Sequence, residues 1–480
     1  MQKLLFTLLL IVTAIENEAR EAIRPPPEVG QIIKDLEEVH VDDSIERGAP
    51  CMLDIQKDLP SGKRAQPLYL HPHTDSYWLP NGDGQLVVPR GASIELYCDS
   101  SFANMDSQEE TVSIHAHCLH DTTFEWTGGK QELQDFYCTQ QLKYVVERLE
   151  QQPCGDGNMT SAARIYRVGY NVSGGRFVRT LELCHDAEQL RTEYVYYHLL
   201  PASVHFQRHV KRPQFSSAGH FCGYDMQRLY SQAHQQKRAK QLLQQAAPSD
   251  GVDVGVGVGV GLGEDMKSTL FDTKDLFLAR GHLAAKADLI YATQQRSTFN
   301  YLNVAPQWQT LNAGHWAVVE EATRRFAARE KLSLSIYTGT YGVMPLPNAT
   351  QTSFYLANDA NNNHVLPVPL LFYRLVIDND RPWSGLAIVG VNNPHATWPE
   401  IWKSYMICET RIPPRYVPWL RSLQQKNLKK GYLYACTVAD VARAVGHLPP
   451  HLLEVHEPLI GEDLKDHELS EDDIIDSDSL

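Results

Sequence analysis

Three absences bound this 480-residue chain. None of its nine cysteines falls in a Cys-x-x-Cys pair. The spacing of a structural zinc site is therefore missing, and disulfides are the expected use of the thiols. No apolar run approaches the roughly 20 residues that a bilayer-crossing helix takes, so no membrane span is expected. Positive charge is also short: the net charge is −14, which counts against a polyanionic partner. That last deficit is local. Residues 446–480 hold eleven acidic residues against Lys465, leaving only −4 for residues 1–445. Residues 446–480 read as an acidic disordered tail, most plainly from Gly461 to Leu480. It is either a solubiliser or an acidic mimic that shields a basic groove.

What is present describes a globular chain long enough for two domains. Met1-Gln2-Lys3, an apolar run from Leu4 to Ala14 and polar residues Glu16 to Arg20 have the form of a signal peptide over 1–20. A secreted, extracellular protein is expected, with residues 21–50 as linker. Sequons at Asn158, Asn171 and Asn348 predict N-linked glycans. Seven cysteines precede residue 223 and two follow it. Parity pairs Cys408 with Cys436 and leaves one of the first seven over.

Residues 51–154 are expected to form a small disulfide-stapled β-rich module, either a propeptide or an accessory binding unit. Its strands are Leu86–Val88, Ile94–Cys98 and Thr111–Cys118. From 155 to 445 strands and helices mix, as in an α+β domain. Tyr194–Leu200 reads as a strand and Asp225–Gln245 as a polar helix. The glycine–valine alternation at 251–263 reads as a flexible surface insert, because glycine at every second position weakens a strand. There follow a strand over Leu276–Leu283, a helix over Ala313–Lys331, strands at Ser333–Gly339 and Leu386–Val391, and a helix at Val438–Val445.

Chemistry concentrates in one stretch. On a strand, Arg280 and His282 share a face, and Gly281 between them admits a close neighbour. A histidine that takes a proton from water, beside an arginine that holds a phosphate oxygen, suits phosphodiester hydrolysis. Asn312 stands at the mouth of the following helix, where a helix cap is its simplest role. Trp316, Val319, Ala322 and Phe326 recur at helical spacing and should face the core. Glu320 and Arg324 are four apart, the spacing of a surface ion pair. Asn312 and Glu320 are separated by about 12 Å of rise and about 80° of rotation. If Asn312 is a metal ligand, Glu320 therefore orients metal-bound water, an arrangement magnesium tolerates because it keeps several waters.

Arg280-Gly281-His282, Asn300-Tyr301-Leu302-Asn303 with Pro306-Gln307, Leu311-Asn312 with Gly314 and Trp316, and Glu320 with Arg324 resemble one family by residue and spacing. This is the DNA/RNA non-specific endonucleases of the ββα-metal fold, the Serratia-nuclease type. The wording Leu278-Ala279-Arg280-Gly281-His282-Leu283 is similar to that of secreted arthropod nucleases and double-stranded ribonucleases. The resemblance implies a central antiparallel sheet flanked by helices and endonucleolytic cleavage of DNA and RNA to 5′-phosphate ends. It implies His282 as general base and Asn312 as the single protein ligand of a hydrated Mg2+, with Mn2+ as a substitute. Glu320 would hold the water shell, and Arg280 and Arg324 the phosphate. Asn303 would hold the site or the scissile phosphate. Arg212 is the candidate for an upstream arginine that stabilises the transition state.

The family more often has aspartate where this chain has Ala279, which leaves open what orients the imidazole. A neutral histidine base predicts activity rising through the histidine pKa towards neutral or alkaline pH. The alternatives are a secreted nucleic-acid-binding protein that kept the fold and lost turnover, and a secreted glycoprotein whose N-terminal module does the work.

Overall fold

A computed structural model describes residues 48–103, 111–155, 162–221, 223–246, 271, 274–346, 349–424 and 427–460. The expected signal peptide, most of the linker, the sequons at Asn158 and Asn348, the 251–263 insert, Cys222 and residues 461–480 of the acidic tail lie outside the described residues. Residues 446–460, expected as disordered tail, are ordered: Glu457–Pro458 pairs with Ser384–Gly385 of the central sheet.

A ten-stranded sheet forms the centre. Its strands include β1 (Val145–Pro153), β2 (Ala163–Val172), β3 (Arg176–Asp186) and β4 (Arg191–Leu199). β1 to β4 pair as successive antiparallel neighbours. The strand Val145–Pro153 belongs to this sheet although the sequence placed it in the N-terminal module. Two further strands form a separate hairpin, β5 (Leu278–His282) against β6 (Val304–Trp308). The sheet resumes with β7 (Leu334–Val343) beside β4, then β8 (Pro369–Asp378), β9 (Ser384–Val391) and β10 (Leu433–Cys436).

Both faces of the sheet are covered, as the near-continuous burial of β8 and β9 requires. One face packs the β5–β6 hairpin and two helices, α1 (Gln232–Ala246) and α2 (Ala317–Glu330), around Trp308, Trp316 and Phe326. The other face carries α3 (Trp398–Ser404) and α4 (Val438–Val445). The order hairpin then α2 is a ββα unit set on a larger antiparallel sheet, so the expected α+β, ββα-metal fold is what the chain adopts. The predicted polar helix is two pieces, Met226–Leu229 and α1, with the break at Tyr230–Ser231.

The N-terminal residues form a five-stranded sheet and a two-stranded one. Cys51–Cys118 and Cys98–Cys138 staple them, while Cys154–Cys184 and Cys408–Cys436 lie in the larger sheet. The module shares a core with its neighbour: Tyr69 packs on Tyr291 with ring centroids 5.1 Å apart, and both are fully buried. Glu95, buried in the module, forms a 2.6 Å ion pair with Arg176 at the start of β3. Gln207 ties the two parts together. Its amide donates to the Ile55 carbonyl (2.8 Å) and accepts from the Ala292 N–H (2.7 Å).

Candidate active site

β5 and β6 pair with Arg280 opposite Pro306 and His282 opposite Val304. The Phe215 ring lies 5.2 Å from the His282 ring and 5.5 Å from the Arg280 guanidinium, so both side chains occupy one face, as their spacing predicts. What approaches Gly281 is protein: a Cβ there would sit 2.5 Å from Cβ of Gln307. Arg280 is held among aromatic rings. Its Nε donates to the Tyr301 hydroxyl (3.3 Å), and the ring of Tyr230 lies 5.5 Å away.

His282 packs against Phe215 and Phe299 in a triangle of rings, with centroids 5.2 and 5.1 Å from its own and 5.1 Å from each other. These rings answer the question left by Ala279: aromatic packing fixes the imidazole plane. Nε2 is buried and has no hydrogen-bond partner. Burial, reinforced by the positive charges of Arg212 and Lys286, pushes the imidazole pKa down to about 3. At neutral pH His282 is therefore an uncharged base. Arg212 is exposed on the segment after Gln207, and Lys286 steadies that segment by donating to the Val210 carbonyl at 2.9 Å.

Asn303 is closed to substrate. Fully buried, it accepts from the Ala284 N–H (2.8 Å) and donates to the carbonyls of Ala284 and Thr298 (3.0 Å each). It ties the chain leaving β5 to the chain entering β6, which is one of the two tasks expected of it.

Asn312 does not cap the start of the following helix. Its own backbone is helical (φ −55°, ψ −50°), and its amide donates to Gln309 Oε1 at 3.0 Å. It opens a π-helical segment, Asn312–Trp316, that delays the regular helix to Ala317. Gly314 causes the irregularity, with ψ −123°, and Lys430 lies so close that a Cβ would meet its carbonyl at 2.9 Å. Such bulges recur at functional sites because they re-aim a side chain out of helical register.

Glu320 and Arg324 do not form the surface pair that their spacing suggested. Arg324 turns inward, and its Nη1 donates to Asp288 Oδ1 at 2.6 Å. Arg374 donates to the other oxygen at 2.8 Å, and Tyr197 donates to that same oxygen. Burial alone would raise the Asp288 pKa, but Arg374 and Arg324 hold the carboxyl below its ordinary range. Glu320 is pushed the other way, up to about 7, by burial and then by the charge of Asp288, against the pull of Arg374, Arg324 and Arg212.

Sequence reasoning missed Lys286, Asp288 and Arg374, along with the aromatic walls Phe215 and Phe299. Only Lys286 and Asp288 lay close enough to His282 for the sequence to flag. Arg374 comes from β8, a strand that was not foreseen.

Among the described residues, no group of three or more His, Cys, Asp or Glu is placed to hold a metal ion. The donors present are the Asn312 amide oxygen and the Glu320 carboxyl, whose pKa burial and the Asp288 charge raise to about 7. Few protein oxygens and a carboxylate ready to meet a cation fit a hydrated hard dication, with water supplying the remaining ligands.

Comparison with known proteins gives a concordant result. The family model for DNA/RNA non-specific endonucleases matches residues 161–441. A salivary endonuclease of Lutzomyia longipalpis is 24% identical over 72% of this chain and 72% of its own. Salivary protein Tsal2A of Glossina morsitans morsitans is 22% identical over 83% of this chain and 92% of its own. Among solved structures, the EndoG/EndoGI complex matches at 19% identity and a TM-score of 0.25, over 44% of this chain and 71% of that one.

Proposed function

The chain belongs to the DNA/RNA non-specific endonuclease family, and from that premise we propose that it cuts DNA and RNA, including double-stranded RNA, with magnesium, leaving 5′-phosphate ends. One observation carries the reading: His282, whose Nε2 has no hydrogen-bond partner, shares one face with Arg280 against the Phe215 ring.

In this mechanism His282 takes a proton from the attacking water, which its low pKa permits throughout the neutral range. Arg280 and the exposed Arg212 engage the phosphate oxygens, and Arg212 is free to follow the charge that develops on them. Arg324 is committed to Asp288 and acts from below, setting the field around Glu320. The Asn312 amide oxygen and Glu320 would hold the ion, Glu320 through water. When bound, magnesium supplies Lewis-acid stabilisation of a phosphate oxygen; manganese is a substitute. Phe215 and Phe299 keep the imidazole oriented.

Recognition would rest on backbone phosphates and so tolerate sequence and weaken with salt. Export fits four disulfides and the salivary relatives. Plasmid DNA and long double-stranded RNA, each with magnesium or EDTA, test the reading for wild type and His282→Ala. Loss of cleavage in the variant and in EDTA is expected. Undiminished cleavage in either case sinks it.

A further inference from the structure

Beside His282 the chain gathers more positive charge than one phosphodiester needs. Lys286 follows four residues after the histidine and is half-buried. Arg296, on the short helix Ala292–Ser297, is half-buried too. Its Nε is shut off from solvent and has no hydrogen-bond partner. Arg212 stands exposed on the segment that leaves Gln207. Hydrogen bonds hold the three cations together. Gln295, the neighbour of Arg296, donates through Nε2 to the Gln207 carbonyl at 2.9 Å. Lys286 Nζ donates to the Val210 carbonyl at 2.9 Å, two residues before Arg212. The Arg296 carbonyl accepts from the Phe299 N–H at 3.2 Å, and the Phe299 ring lies 5.1 Å from that of His282.

No acid in the described structure answers this charge. Among the described residues, none of the three cations forms an ion pair, although the chain has 58 acidic residues to 44 lysines and arginines. Asp288, two residues beyond Lys286, is taken by Arg324 and Arg374. The crowding is felt. Burial, and then the charges of Arg212 and Arg296, hold the Lys286 pKa below the ordinary lysine range. Like charges gathered in partly buried positions are unfavourable for the free protein, and a bound anion removes that cost.

We propose that Arg212, Lys286 and Arg296 form a second phosphate site, which holds the phosphate next to the scissile one on the substrate strand. The assignment rests on the nuclease reading above. Arg280 faces the scissile position from the Phe215 side of His282, and a diester there carries a single negative charge. The cations on the Phe299 side are surplus to it. Arg212, whose charge reaches both His282 and Lys286, joins the two positions. Arg296 offers a planar fork of donors to phosphate oxygens, and Lys286 a mobile point charge. His282 and Lys286 are four residues apart, at most about 14 Å between Cα atoms. The neighbouring phosphate, rather than a remote one, is therefore in reach.

The test gives the full chain, with magnesium, three substrates: the dinucleotide TpT and the same dinucleotide with an added 5′-phosphate (pTpT) or 3′-phosphate (TpTp). In wild type, kcat/KM for one phosphorylated form should exceed that for TpT about tenfold, the worth of one charge-assisted hydrogen bond. The favoured end tells on which side of the cut the site lies. Arg296→Gln should bring the ratio close to one, and Arg296→Lys should restore part of it. Because each ratio is taken within one variant, a general loss of activity cancels. If Arg296→Gln does not fold, Lys286→Gln is read in the same way. Equal kcat/KM for all three substrates in wild type overturns the proposal, as does a preference that the variants leave unchanged. If wild type cleaves neither these substrates nor plasmid DNA, the nuclease reading falls. Titration calorimetry of wild type with the same three compounds then decides on this site alone, and equal Kd values overturn it.

Discussion

Replacing Asp288 with asparagine preserves the shape of the buried hub and removes its charge. The Asp288 and Arg374 side chains are wholly inaccessible, and that of Arg324 is 10% exposed. The carboxylate receives hydrogen bonds from Arg324, Arg374 and Tyr197. Asparagine would leave two guanidinium groups competing for one amide oxygen, with a second donor where an acceptor stood. Removing one partner of a buried ion pair costs about 3–5 kcal/mol, chiefly because the surviving charge cannot return to water. Equilibrium urea denaturation measures the loss, with Glu321→Gln as control. Glu321 pairs with Arg325 on the exposed side of the same helix, where an ion pair adds little. Combining Asp288→Asn with Arg374→Met should recover part of the loss, since one stranded cation goes with it. A midpoint for Asp288→Asn indistinguishable from that of Glu321→Gln would refute the reasoning.

Further outcomes follow from the same geometry. With the His282 pKa near 3, the imidazole stays neutral well into acid, so its ring signals in an NMR titration should not shift near pH 6.5. A His282 titration near 6.5 would contradict the aromatic burial. His185 is buried and its pKa is also pushed down to about 3. The unfolded chain therefore binds the extra proton first as pH falls. The contribution of this group is complete above about 6.5 and is lost towards 3, at about 1.4 kcal/mol per pH unit. His185→Gln should flatten the acid-stability curve, measured by urea midpoints from pH 7 to 4. Gly281→Ala should cost about 1–3 kcal/mol by overpacking against Gln307 and lower kcat at least tenfold by shifting Arg280 and His282. Full activity in that variant would deny the close contact.

The sequence was informative where function is carried by a contiguous strand or turn. Arg280 and His282 needed only alternation to be set on one face, and α4 was bounded correctly by its own periodicity. Helical spacing also identified Trp316, Val319 and Phe326 as core residues. It failed for Arg324, because an i,i+4 relation to Glu320 competes with a carboxylate thirty-six residues earlier. It failed for the start of α2 because the non-helical backbone at Gly314 follows no side-chain periodicity. β8 was invisible for a related reason: buried on both faces, it lacks the alternation that marks a strand.

The contacts of Gln56 and Gln207 also bear on how such a chain is made. Gln56 donates to the carbonyls of His205 and Phe206, and Tyr69 waits for Tyr291. At about 5–20 residues per second, some 10–40 seconds of synthesis separate those aromatic partners. By then all four cysteines of the first two disulfides have emerged, the later pair spanning Cys98 to Cys138. Oxidation closes the early sheet while the surface meant for Tyr291 is still bare. Yield of the folded protein should thus depend on how fast those bonds form relative to elongation, and a slow oxidant should penalise this chain more than one whose halves fold independently.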